Sequence, residues 1–288
     1  MLLIDTQMLI RRCYAKMDFL KNQAGVPTGM EFGTLNSLQG LQNKFPDQQV
    51  VLCLDSMQSW RKDKHPEYKA NRERITEGSY WMRLGAFQKF LKCVYYTAGK
   101  TKYEADDIMF TLSRTQEGPH YIYTNDKDLL QAINDNVKVL KSFASKLYLW
   151  DIAAVKEKYY SLKPEFLPEF RAFVGDGSDN LFGVPRIKKA FLAQLITWAH
   201  DNGISLHCML GEIATAEWSE NMRGDIITFI ESGIFDRNYE LMKLTTVPDI
   251  QIIEPISDDE YVAKKLKEWN IYSLKLSKKY NLCESEEF

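Results

Sequence analysis

The chain has 288 residues, 45% hydrophobic and 26% charged, which suits one large or two medium soluble globular domains with a sizeable core. No apolar run reaches the roughly 20 residues of a membrane helix, and the N-terminal MLLIDTQMLIRRCYAKM reads as a first strand, not a secretory signal. Five scattered cysteines without a C-x-x-C pair argue against a disulfide framework or a zinc site and for a reducing, cytoplasmic compartment, while the net charge of −2 is uninformative about nucleic acid.

In chain order, Leu2-Leu3-Ile4 predicts a strand that ends at Asp5. A helix follows over 32–45, then a strand over Val50 to Leu54 that ends at Asp55. From Arg61 to Lys102 eleven Lys and Arg face four acids, an excess of seven positive charges that attracts polyanions or solvates a helical face. Within it Tyr80, Leu84, Phe87, Leu91 and Val94 recur at helical spacing and predict a helix with one apolar face. Glu104, Asp106 and Asp107 open a helix running to about Gln116. Tyr121-Ile122-Tyr123 predicts a strand leading into Asp126 and Asp128, and two further strands lie near 137–140 and 147–150. Short buried runs separated by helices predict an α/β fold with a parallel sheet over 1–150. From 151 to 288 the pattern is mostly helical, interrupted by Pro164, Pro168 and the turn-rich GDGSDNLFGVP at 175–185.

One Asp after a strand is usually a turn or cap residue, and acids at a helix start also have a capping explanation. Six or seven gathered on the carboxyl edge of one sheet are different. Each like-charge pair at about 4 Å costs roughly 4 kcal/mol near a protein surface, so such a cluster needs raised pKa values or cations. Oxygen ligands of this type select Mg²⁺ or Mn²⁺, and two such ions suit phosphodiester cleavage. The chain has no G-x-G-x-x-G and no G-x-x-x-x-G-K-[ST], and Asp5-Thr6-Gln7 lacks the second Asp of an aspartyl-phosphate phosphatase. The four histidines (65, 120, 200, 207) show no ligand spacing and read as structural.

With these residues in place the chain resembles the 5′–3′ exonuclease/flap endonuclease family, which includes phage members and the nuclease domain of bacterial DNA polymerase I. LLID at 2–5, CLD at 53–55, YKANR at 68–72, EADD at 104–107, TNDKDLLQ at 124–131 and GDGSDNLFGVP at 175–185 carry the likeness, in the family's order. The resemblance implies a PIN-like nuclease core with a helical arch at about 61–102, and a helix-three-turn-helix DNA-binding module near 170–200. It implies that Asp5, Asp55, Glu104, Asp106 and Asp107 hold a first metal. Asp126, Asp128, Asp176 and Asp179 would build a second site. Lys69 and Arg72 would contact the scissile phosphate, and on a helix their spacing puts them on one face. Tyr68 is a stacking or packing residue, and Trp81 is a stacking candidate off the apolar helical face.

The sequence departs from the family after GVP. The usual Gly-Ile-Gly is replaced by Arg186-Ile187-Lys188-Lys189, so basic side chains would take over a duplex grip that backbone amides usually make. The family's K⁺ site in this hairpin retains Ser178 but loses both glycines, and Gly177 stands where Ser is common. The expectation is a monomeric, free-standing, phage-type enzyme of the cytoplasm of a bacterial or phage-infected cell. It would hydrolyse DNA at 5′ flaps, nicks and 5′ or RNA/DNA primer ends with two Mg²⁺ or Mn²⁺ ions, away from any membrane. The alternatives are a PIN-type ribonuclease and a catalytically silent structure-specific DNA-binding protein. The acidic tail at 284–287 is either frayed or a docking peptide.

Overall fold

The computed structural model describes residues 1–72, 75–144, 146–204 and 220–272. The first elements are β1 (Leu2–Asp5), α1 (Thr6–Met17), α2 (Gly29–Lys44), β2 (Val50–Leu54), α3 (Trp60–Lys64), α4 (Gly78–Val94) and β3 (Tyr96–Gly99). Next come α5 (Ala105–Thr115), β4 (His120–Tyr123), β5 (Val137–Phe143), β6 (Lys146–Trp150), α6 (Ile152–Lys158), α7 (Leu167–Val174), β7 (Gly175–Asp176) and β8 (Leu181–Phe182). The helices α8 (Lys189–Asp201), α9 (Glu220–Glu231), α10 (Ile234–Met242) and α11 (Asp259–Trp269) complete the described chain. His207, Cys208, Cys283 and the acidic tail lie outside the described residues.

Two compact units result, neither of them continuous in sequence. The first comprises Met1–Met57, Arg74–Thr124 and Val247–Phe288; the second comprises Gln58–Glu73 and Asn125–Thr246. The basic stretch expected as an arch is therefore shared between them, and the chain after 247 returns to the first unit instead of staying with the helical region.

The first unit is built on parallel pairings of β1 with β2 and β4, and of β2 with β3. Every β1 residue is buried, because both faces of a parallel sheet are covered. β3, with the weakly strand-forming run Tyr96-Thr97-Ala98-Gly99, escaped the sequence reading. α4 buries Tyr80, Leu84, Phe87, Leu91 and Val94, as its spacing predicts, and Phe90 and Cys93 besides. Trp269 of α11 packs edge-on against both Phe87 and Phe90, with centroids 5.5 and 5.0 Å away. α1, not anticipated, starts where Asp5 caps it.

In the second unit β5 and β6 form an antiparallel hairpin, with Val139 opposite Trp150 and Phe143 opposite Lys146. α7 and α8 flank the 175–185 turn, and β7 and β8 close it through the Gly175–Phe182 and Asp176–Leu181 pairs. Gly175 sits at φ 77°, and a Cβ there would lie 2.4 Å from the Gly183 nitrogen. Gly175→Ala is therefore expected to cost about 1–3 kcal/mol or more of stability, read as a lower urea midpoint with an unchanged m-value.

Candidate carboxylate sites

In the first unit the parallel register sets Asp5 beside Cys53, so Asp5 and Asp55 leave the carboxyl ends of neighbouring strands. Asp5 accepts from the Met8 N–H at 3.0 Å and from the Thr124 hydroxyl at 2.9 Å. Asp55 accepts from the Ala105 N–H at 2.8 Å, at the start of α5, whose first turn carries Asp106 and Asp107 after the N-cap Glu104. Both carboxylates thus sit at helix N-termini, where amide dipoles favour negative charge. Burial pushes the Cys53 thiol well up, and the charges of Asp5, Asp55 and Asp106 push it further, so these three acids act on one point. Asp107 is fully buried, whereas Glu104 and Asp106 are half-buried. Among the described residues, no three His, Cys, Asp or Glu side chains are close enough as they stand to enclose a metal ion.

The second unit holds a cavity of about 210 Å³ lined by Arg72, Asn125, Asp126, Lys127, Asp176, Ser178 and Asp179. Local turns aim its acids. Asp126 accepts from the Asp128 N–H at 2.8 Å, and Asn125 accepts from the Ser142 N–H at 2.9 Å, fixing the 125–128 loop to β5. Asp176 accepts from both the backbone and the hydroxyl of Ser178, at 3.0 and 2.7 Å.

Cations balance this cluster. Arg171, 5% exposed, pairs with Asp128 and lies 2.6 Å from Asp176; Lys127 lies 3.0 Å from Asp176, and Arg72 lies 2.5 Å from Asp179. Burial lowers the Arg171 guanidinium, opposed by the charges of Asp126, Asp176 and Asp179. For Asp176, burial raises the carboxyl, but bonds from Ser178 and Lys127 and the charge of Arg171 outweigh it and hold it below its ordinary value. Arg171 was missed in the sequence. Its only signal is a lone base inside the largely apolar LPEFRAFV.

Several expectations are corrected. The segment carrying Lys69 and Arg72 is a run of turns, not a helix: α3 stops before His65-Pro66, and Lys69 takes φ 56°. Tertiary bonds position these bases instead. The Lys69 N–H donates to the Asp179 carbonyl at 3.0 Å, and Arg72 reaches the Asp179 side chain. Tyr68 is 3% exposed, within a cluster with Leu181, Leu241 and Met242, so it packs and presents no face for stacking. Trp81 is 39% exposed, its indole N–H donating to the Ile75 carbonyl at 2.8 Å. Arg186, Lys188 and Lys189 are exposed. Arg61 is withdrawn from the basic surface: it is buried and donates to the Leu241 and Lys243 carbonyls at the end of α10. Arg83 pairs with Asp18 and Glu31.

A family model described as 5′-3′ exonuclease, N-terminal resolvase-like domain, matches residues 1–160. Among curated relatives, a 5′-3′ exonuclease of Buchnera aphidicola subsp. Baizongia pistaciae is 34% identical over 203 residues, 68% of this chain and 66% of the relative. A DNA polymerase I of Chloroflexus aurantiacus is 32% identical over 195 residues, 64% of this chain and 20% of the polymerase. The chain thus spans just under two thirds of the first relative's length and a fifth of the second's. Among solved structures, the bacteriophage T5 flap endonuclease in a pseudo-enzyme–product complex with DNA and metal ions superposes with a TM-score of 0.66 at 17% identity. That match covers 84% of this chain and 88% of the phage protein and shows the shared fold.

Removing Arg171 would take a cation from the buried Asp176 and the half-buried Asp128, leaving Asp176 with Lys127 and Ser178, so Arg171→Met is expected to cost about 3 kcal/mol in urea unfolding. Burial also lowers the Lys141 amine from 10.5 to about 8, with Asp126 opposing and Lys127 assisting. Between pH 8 and 10.5 folded Lys141 has lost a proton that the unfolded chain keeps, so its contribution to stability rises with pH across that window. Urea midpoints measured from pH 7 to 10.5 are expected to show this rise in wild type and a smaller one in Lys141→Met.

Proposed function

Because the chain belongs to the 5′–3′ exonuclease family through its N-terminal resolvase-like domain, we propose that it is a divalent-metal-dependent 5′ nuclease acting on DNA flaps, nicks and primer ends. The observation that carries this reading is the carboxylate-lined cavity of the second unit, where Asp126, Asp176 and Asp179 share a wall with Arg72. The Asp5, Asp55 and Asp106 set supports it from the first unit. Both sets offer side-chain oxygens alone, the donor chemistry that suits Mg²⁺ or Mn²⁺. The nearby Cys53 thiol is held protonated and does not compete as a thiolate ligand.

Asp5, Asp55, Glu104, Asp106 and Asp107 would hold one ion, and Asp126, Asp128, Asp176 and Asp179 a second. Bound divalent ions supply Lewis-acid activation of water and of the phosphoryl oxygen. The chain's own residues do the rest. Asp176 and Asp179 are fixed by Ser178, Arg171, Lys127 and Arg72, so the cluster keeps its shape as charge changes on the phosphate. Arg72, bonded to Asp179 through one nitrogen, has further N–H donors for phosphoryl oxygens. Lys69 adds a second cation beside it. Arg186, Lys188 and Lys189 offer duplex phosphates a side-chain grip, and Ser178 is used on Asp176.

No described helix is long and apolar enough to cross a membrane, and Cys13, Cys53 and Cys93 are free and buried. A 5′-labelled flap duplex and the matching single-stranded RNA, each with Mg²⁺ or EDTA, test the reading. Cutting near the flap junction that needs Mg²⁺ is expected, with Asp126→Asn and Arg72→Ala each slowing it about 10²–10³-fold. Cleavage of RNA alone would establish a PIN-type ribonuclease instead. A flap that is bound but never cut would leave a structure-specific DNA-binding protein.

A further inference from the structure

Phe182 is the second residue of β8, and successive strand residues face opposite sides. Leu181 turns inward to the cluster of Tyr68, Leu241 and Met242. Phe182 turns outward and is 71% exposed. Its backbone is held on several sides. It pairs with Gly175, and its carbonyl accepts at 2.8 Å from Asn238, a fully buried side chain that also donates to the Ala172 carbonyl at 3.0 Å. The Val184 N–H donates to the Phe173 carbonyl at 2.7 Å, and a Cβ on the intervening Gly183 would come within 2.3 Å of the Val174 carbonyl carbon. An aromatic ring is thus presented to solvent from a rigid support.

A single exposed apolar residue is ordinary. The residues around this one are not neutral, however. Arg186, Lys188 and Lys189 follow within seven positions and are all exposed, with no acid between Asn180 and His200. Arg186 takes φ 54°, and α8 begins at Lys189 with no side-chain bond capping its first amides. Exposed positive charges within seven positions of an exposed aromatic ring match a ligand that alternates phosphates with planar bases. Continuous duplex hides its base faces by stacking them on one another, whereas a nick, a flap junction or a strand end leaves one open.

Resting on the nuclease reading, we propose that Phe182 is a nucleic-acid contact that stacks on the open base at a strand break while Arg186, Lys188 and Lys189 hold the neighbouring phosphates. It favours broken or branched DNA over continuous duplex, and its contribution is insensitive to salt.

Fluorescence anisotropy in EDTA, with a labelled flap duplex and a labelled continuous duplex over a salt series, tests this. Phe182→Ala is expected to weaken flap binding about tenfold at every salt concentration, with the salt slope and continuous-duplex affinity unchanged. Phe182→Tyr should keep wild-type affinity and Phe182→Leu should behave as Phe182→Ala, which separates stacking from apolar contact. The Lys188→Ala/Lys189→Ala pair should instead reduce the slope of log affinity against log salt by about two. Wild-type flap binding by Phe182→Ala, or an equal loss on both DNAs, overturns the stacking assignment while leaving the nuclease reading intact. Failure of the wild-type protein to bind either DNA, both in EDTA and with Ca²⁺ in its place, overturns the nuclease reading itself.

Discussion

Carboxylates crowded together repel one another, and the two units relieve that repulsion by different means. In the second unit the relief comes from side-chain cations. Arg171 reaches both Asp128 and Asp176, Lys127 reaches Asp176, and Arg72 reaches Asp179. These pairs tie together α7, the loop after Thr124, the turns at 66–72 and the 175–185 hairpin. Three stretches distant in sequence, 66–72, 125–128 and 167–185, are therefore held in one arrangement by a single electrostatic requirement. A buried guanidinium is expensive unless its donors are satisfied, so Arg171 constrains the carboxylates as much as they constrain it.

The first unit uses backbone dipoles. Asp5 ends β1 and caps α1; Asp55 follows β2 and accepts from the first amide of α5. A parallel strand that turns straight into a helix puts its last acid on a positive helix end. Burial raises the Cys53 thiol, and the charges of Asp5, Asp55 and Asp106 along this edge raise it further.

Charge excess in a sequence also overstates charge at a surface. The stretch from Arg61 to Lys102 carries seven surplus positive charges, yet Arg61 is committed to the carbonyls ending α10 and Arg83 to Asp18 and Glu31. Arg186, Lys188 and Lys189, outside that stretch, are all exposed.

By itself the sequence determined the strand–acid pattern, the apolar face of α4 and the α/β-then-helical order, because strand and helix periodicities are local properties of a few residues. It also supplied the ordered motifs that mark the family. The tertiary structure alone decided which charges meet. Arg171 looks like one base in an apolar helix, Tyr68 looks as available as Lys69, and Lys69 and Arg72 look helical. Tyr68, Lys69 and Arg72 are placed by residues over a hundred positions away, Leu241 and Asp179, and Arg171 by Asp128, which lies before β5 and β6; only the folded path of the chain brings them near. The return of residues after 247 to the first unit was hidden for the same reason: burial of Trp269 against Phe87 and Phe90 joins surfaces whose spacing in the chain carries no periodic signal.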